Sequence, residues 1–261
     1  MCDDIRVSSS ASSKTIFDQA IVLRGQKLGD ADKIVILLTR NHGIVHAVAK
    51  GARKTTSKFG GRLEPFMLVD VSLTAGKDLY TLTQVQTVRA YTSPIMSDYS
   101  AYLAGLALIE LTESLGKFEE GESSNQLFVM LAGALSSLSS QRLRPLDIVN
   151  AYFLRAISLA GWGMNPTVCS HCGSSENLRW FSAEAGLLCE NCGRLEVLNV
   201  SKPVSEETLH YLSDVFLGRW ESVTAISSQH SAKIAYGLIS TFVHWQLEKP
   251  LKSLALIEKE F

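Results

Sequence analysis

No stretch of this chain approaches the ~18 consecutive apolar residues that a membrane-spanning helix requires, which excludes an integral helical membrane protein. The start of the chain lacks a basic segment followed by an apolar one. Met1 to Lys14 is polar and serine-rich, so neither a secretory signal nor a transit peptide is expected, and a cytoplasmic location is. Catalytic frames are missing too. There is no H-E-x-x-H and no serine or cysteine in a nucleophile motif, and the six histidines are scattered. His46 and His244 read as structural. Lys54-Thr55 resembles the end of a phosphate-cradling loop, but Arg53 stands where glycine is required, which excludes an ATPase. Asp30 and Asp32 fall in a turn, where acids are ordinary. Glu110 and Glu113 share a helix face without the partners that acid–base chemistry needs. The chain is expected not to be an enzyme.

The chain as a whole also lacks an excess of either charge, with a net of −1. That average hides two opposite halves. Residues 14–92 hold twelve Lys and Arg against six Asp and Glu, a net of +6, whereas residues 93–261 hold twelve against eighteen, a net of −6. A basic N-terminal half puts nucleic acid first among candidate partners.

The patterning changes at the same place. Ala20–Arg24, Lys33–Thr39, Ile44–Ala49, Met67–Thr74 and Asp78–Arg89 read as short strands divided by turn signals, with period-2 alternation clearest from Met67 to Thr74. Five strands in about 75 residues fit a small closed barrel, of which the OB-fold is the leading form and an SH3-like barrel the alternative. After Thr92 the apolar period becomes helical. Helices are predicted from Ser97 to Leu115, Asn125 to Leu138, Pro145 to about Gly161, Ser205 to Leu217 and Ser231 to Lys249, the last stopped by Pro250. The expected fold is α+β: a disordered arm (1–15), a five-stranded OB-fold barrel (16–92), and an α-helical bundle (93–261) interrupted by a zinc ribbon at 165–200.

Cysteine is sparse, and four of the five are paired as Cys169-x2-Cys172 and Cys189-x2-Cys192 with sixteen residues between the hooks. Each hook aims two thiolates at one point, and tetrahedral Zn²⁺ takes four such ligands, leaving no open position. A closed site of this kind is structural, and it excludes a zinc-dependent hydrolase. His171 could compete as a ligand, but four thiolates already complete the tetrahedron. Glu176, Glu184, Glu190 and Glu196 against Arg179 and Arg194 oppose a phosphate-binding role for the ribbon. Cys2 stands alone in the arm.

The segment from Lys50 to Arg62 is the candidate functional centre. It holds Lys50, Arg53, Lys54, Lys58 and Arg62 with no acid, three hydroxyl residues, and Phe59, on which a base could stack. Arg24, Lys27 and Lys33 could extend the same surface. If about five of these cations each displace one counterion, the log–log salt slope on single strands should be roughly −3.5. The alternative is a docking adaptor whose OB-like barrel binds partner proteins more than DNA, its positive charge meeting an acidic tail.

The run Leu28-Gly-Asp-Ala-Asp-Lys-Ile-Val-Ile-Leu-Leu-Thr-Arg-Asn-His-Gly43, continued by Val48-Ala-Lys-Gly-Ala-Arg-Lys54 and Leu63-Glu-Pro-Phe66, closely resembles the N-terminal domain of the bacterial recombination mediator family RecO. The helical region follows in the same order, and the cysteine hooks fall where many members carry a four-cysteine site. The resemblance implies an OB domain joined to a helical domain and a non-enzymatic role in homologous recombination and DNA repair. It implies binding of single- and double-stranded DNA and annealing of complementary strands. It further implies action with RecR, often with RecF, to load RecA onto DNA coated by single-stranded-DNA-binding protein, whose acidic tail members dock. A cytoplasmic, nucleoid-associated protein is expected. The serine-rich arm departs from the pattern.

Overall fold

The computed structural model describes residues 15–116, 122–194, 201–226 and 229–261. The serine-rich arm with Cys2, most of the acidic connection after the first long helix, and Glu196 lie outside the described residues.

Five strands, β1 (Thr15–Leu28), β2 (Asp32–Thr39), β3 (Gly43–Ala49), β4 (Met67–Thr74) and β5 (Tyr80–Ala90), close into a barrel of order β1-β2-β3-β5-β4. Neighbours are antiparallel except β3 and β5, which run parallel at Ala47↔Tyr80 and Val48↔Thr81. This is the Greek-key barrel of an OB-fold. At fourteen residues β1 is much longer than the run Ala20–Arg24 suggested. Its first half pairs with β4 and its second with β2, and a bulge between Val22 and Arg24 bends it across the barrel corner.

Val22, Val35, Leu37, Val45, Ala47, Val69, Val71 and Leu73 fill the barrel. A 3₁₀ turn at Gly60–Leu63 closes one end with Phe59 and Leu63, each 1% exposed. The outward residues Ile21, Leu23, Ile36, Leu38 and Leu68 are buried as well, because they join the core of the helical region. Phe66 locks that junction. It adopts φ 69°, a left-handed conformation costly for a residue with a Cβ. Its N–H donates to the Val22 carbonyl at 3.0 Å and its ring meets Tyr102 edge-on at 6.2 Å. The ring also lies over Gly105, where any Cβ would stand 2.9 Å from it.

The helices are α1 (Thr92–Met96), α2 (Tyr99–Leu115), α3 (Glu122–Ser140), α4 (Pro145–Leu159), α5 (Glu190–Gly193), α6 (Glu206–Leu217), α7 (Trp220–Ile226), α8 (Gln229–Leu247) and α9 (Lys252–Glu260). The long ones begin where local chemistry says they should. Asp98 caps α2 by accepting from the Ala101 N–H at 2.8 Å, Pro145 opens α4, and Ser205 caps α6, which ends on left-handed Gly218. Pro250 ends α8, but α9 follows at once. Its first amides, Lys252 and Ser253, donate to the Glu110 carboxylate at 2.9 and 2.8 Å, a cap supplied from α2. A small ribbon, β6 (Leu178–Ser182), β7 (Gly186–Cys189) and the two-residue β8 (Lys202–Pro203), is inserted between α4 and α6.

Candidate nucleic-acid interface and metal centre

The turn after β3 folds back on the hairpin that joins β1 to β2. Gly51, at φ 70°, donates its N–H to the Asp32 carboxylate at 2.8 Å, and the Arg53 N–H reaches the Ala31 carbonyl at 2.9 Å. The Arg53 guanidinium then clasps the hairpin tip, with Nη1 donating to the carbonyls of Gly29 and Asp30 at 2.7 and 3.1 Å. Asp32 therefore anchors the basic segment, a role the sequence did not disclose. The result is that Lys27 near the end of β1, Lys50, Arg53 and Lys54 all stand exposed around one end of the barrel. Loops at this position, between strands 1 and 2, are one of the sites where OB-folds hold oligonucleotides.

Other members of the predicted set are placed differently. Lys58 and Arg62 are exposed but lie toward β5: Lys58 Nζ donates to the Thr83 carbonyl at 2.9 Å and Arg62 Nη1 to the Lys58 carbonyl at 2.9 Å. Arg24 turns to the helical region and grips Glu113 of α2 with two hydrogen bonds of 2.7 and 2.6 Å, and that bond raises its pKa. A guanidinium held in a bidentate carboxylate pair already has its counterion. Lys33 lays its stem over Gly25 and donates from Nζ to the Leu63 carbonyl at 3.1 Å and to Glu64 at 3.3 Å, so it ties the hairpin to the 3₁₀ turn. Phe59 is corrected outright. Expected to offer its ring to a base, it is buried in the barrel core, with Lys58 Nζ 5.1 Å from the ring centroid. The loop is short of other apolar side chains able to close this end of the barrel, and burial of the phenyl ring wins over exposure. The outward face of β2 is likewise covered by helices at Ile36 and Leu38, which leaves the hairpin end as the open part of that face.

The four cysteines come together as expected. Their sulfurs all lie within 4.8 Å of one another, and Cys172 Sγ stands 3.8 Å from Cys189 Sγ. A tetrahedron with Zn–S bonds of ~2.3 Å has edges of roughly 3.8 Å, so the donor set fits the ion in chemistry and in size. The first hook is shaped by Gly173 at φ 75°, whose N–H donates to the Cys169 carbonyl at 2.9 Å. The second is the step from β7 into α5. Burial pushes the Cys169 thiol up, but hydrogen bonds from the amides of Cys172, Cys189 and His171 outweigh it and bring the thiol to about 6. Burial and the neighbouring sulfurs push Cys192 up to about 12. Without a cation the four cannot ionise together, and a divalent ion removes that conflict. His171 Nδ1 sits 3.6 Å from Cys192 Sγ, beside the cluster and outside the sulfur tetrahedron. Glu190 pairs with both Arg179 and Arg194, so the ribbon's two arginines share one carboxylate.

Among the described residues no helix is long and apolar enough to cross a membrane. Family models described as "Recombination protein O N terminal" and "Recombination protein O C terminal" match residues 14–91 and 96–255. A DNA repair protein RecO from Thermobifida fusca is 40% identical over 243 residues, covering 93% of this chain and 98% of its own. Proteins of the same description from Nocardioides and Streptomyces griseus are 39% and 40% identical over 246 and 248 residues, with the same coverage. The likeness spans the barrel, the helices and the cysteine ribbon together, and the chain belongs to the RecO family of DNA repair and recombination proteins.

Proposed function

We propose that this protein is a non-catalytic, cytoplasmic and nucleoid-associated recombination mediator that binds single- and double-stranded DNA through the hairpin end of its barrel. It anneals complementary strands there. With RecR, and with RecF where that partner is present, it assists the loading of RecA onto DNA coated by single-stranded-DNA-binding protein. The observation that carries the DNA-binding reading is the convergence of Lys27, Lys50, Arg53 and Lys54 around one turn, pinned by Asp32 and by the hairpin carbonyls. A turn held in place presents its cations together, and each phosphate contact releases a condensed counterion. Two strands attracted to the same positive surface repel each other less and meet at a raised local concentration, which is the physical content of annealing.

The ion in the four-cysteine site is proposed to be Zn²⁺. When bound it supplies a cross-link and no chemical step, because four thiolates leave no position for a substrate. Its effect is to hold the β6–β7 hairpin as a unit, and its removal loosens the ribbon without touching the barrel.

The test is an annealing assay with complementary labelled strands, bare and coated with single-stranded-DNA-binding protein, comparing wild type with Lys50→Ala/Arg53→Ala/Lys54→Ala. The variant is expected to fold and to lose most of the acceleration. Annealing at the wild-type rate would sink the placement of the site. Weak binding of DNA by both proteins would move the function to protein docking.

A further inference from the structure

A groove of about 850 Å³ lies on the flank of the barrel across β1, β4 and β5. The register there is simple. Phe17 of β1 pairs with Ser72 of β4, which pairs with Gln84 of β5, and the next row is Gln19, Asp70 and Gln86. Paired residues share a face, so these six side chains lie on the outer surface in two rows, each spanning roughly 10 Å at ~4.8 Å per strand. The middle of the first row is small and sunken, since Ser72 is buried, and its two ends rise as walls. One wall is Phe17, 74% exposed, an aromatic ring presented to water in an otherwise polar surface. The other carries the amides of Gln84 and Gln86, both exposed. Lys58 reaches the groove, with Nζ fixed on the Thr83 carbonyl.

We infer that this flank is a stacking platform for single-stranded nucleic acid, with one base lying on Phe17, its edge met by the glutamine amides and Asp70, and its phosphate drawn to Lys58. The inference rests on the DNA-binding reading above and adds to it a site that discriminates unpaired bases from duplex. An exposed ring beside hydrogen-bonding side chains and one cation is what a sequence-tolerant single-strand site needs, because every base has a π-face. Amides can both donate to and accept from base edges, and a carboxylate accepts from an exocyclic amine. Asp70 repels phosphate, which fixes the polarity of the arrangement: bases over Asp70, backbone along the Lys58 edge, where Arg62 bonded to the Lys58 carbonyl continues the positive track. The other carboxylate at the groove, Asp18, is taken up by Gln19, Asn41 and His42. A protein partner would want apolar neighbours around Phe17, and its cross-strand neighbours are serine and glutamine. This ring supplies the aromatic contact that buried Phe59 cannot.

The test uses the full chain with Phe17→Ala, Phe17→Leu and Phe17→Tyr, titrated by fluorescence anisotropy against a single strand and against a duplex of the same length. Because Phe17 is exposed, all three are expected to melt with the wild type. Alanine and leucine should weaken single-strand binding by roughly 5- to 150-fold and leave the duplex unchanged, while tyrosine restores the wild type. The salt slope should be the same in all four proteins, since no cation is removed. A strand carrying 5-iodouracil should photocrosslink to the peptide that contains Phe17. If alanine and wild type bind the single strand equally, or if single strand and duplex weaken together, the platform is wrong. That failure is separate from failure of the hairpin site: DNA binding that depends on Lys50, Arg53 and Lys54 but not on Phe17 overturns only this inference, and no DNA binding by any variant overturns both.

Discussion

Replacing Phe59 by alanine removes a ring that is 1% exposed and sits among Val71, Leu73 and Leu82 as part of the barrel's closed core. The cost has two parts, the lost transfer of apolar surface and the cavity left behind, and for a buried phenylalanine they sum to about 3–5 kcal/mol. Phe59 is held from its backbone by the Ser57 hydroxyl at 3.2 Å and covered by Lys58, so the site has limited freedom to collapse and the upper half of that range is expected. For a chain of this size each kcal/mol shifts the melting temperature by about 2–4 °C, which predicts a fall of about 8–20 °C. Phe59→Leu keeps most of the volume and should cost under about 1.5 kcal/mol. Calorimetric melting and urea titration measure both, and DNA binding is then read well below the melt of the weakest variant. With the ring confined to the core, the leucine variant should bind single strands as the wild type does. Unchanged stability with lost single-strand affinity in Phe59→Leu would refute the reasoning, because it would mean that the ring leaves the core to meet a base.

Three further outcomes are expected. Metal analysis of the purified protein should find one zinc per chain; chelation should open the segment 165–200 to proteolysis while leaving DNA affinity intact, and a drop in affinity equal to that of the Lys50/Arg53/Lys54 variant would contradict a purely structural ion. A double-mutant cycle of Arg24→Ala and Glu113→Ala should give a coupling of about 0.5–1 kcal/mol, since Arg24 is 42% exposed and water screens the pair, with DNA affinity unmoved by either change. Burial drives the phenols of Tyr152, Tyr211 and Tyr236 above the usual tyrosine value, so the folded state keeps protons that the unfolded chain releases near pH 10. Stability contributed by these groups is then full below pH ~10 and is lost as pH rises above it, by about 1.4 kcal/mol per pH unit for each tyrosine. Urea midpoints between about pH 9 and 11.5 should show this fall, with a shallower slope in Tyr152→Phe, and a flat profile would contradict it.

What could be read from the sequence was what local chemistry decides. β4 falls at Met67–Thr74 as its alternation indicated, and Pro145 and Ser205 mark helix starts because capping is a contact between neighbours. The cysteine hooks were legible for the same reason. Contacts between distant residues were not. Glu110 caps α9 across 142 residues, so a short helix after Pro250 had no local start signal, and Arg24 could not be removed from the interface without knowing that Glu113 lies against it. One tertiary feature did leave a trace. Val35-Ile-Leu-Leu38 is a continuous apolar run where a half-buried strand would alternate, and that continuity is the mark of a strand covered on both faces. Phe59 shows the opposite case: in a loop there is no period to say whether a lone aromatic points in or out.

The proposed DNA binding at the hairpin end rests most on the cations around the β1–β2 turn, and a salt series of single-strand binding tests them directly. Removing Lys50, Arg53 and Lys54 takes away three displaced counterions, so the log–log slope of the Lys50→Ala/Arg53→Ala/Lys54→Ala variant should be shallower than that of the wild type by roughly 2.1, with binding roughly 50-fold weaker at ~0.15 M salt. A variant that keeps the wild-type slope and affinity would contradict the claim that this end of the barrel is where the protein meets DNA.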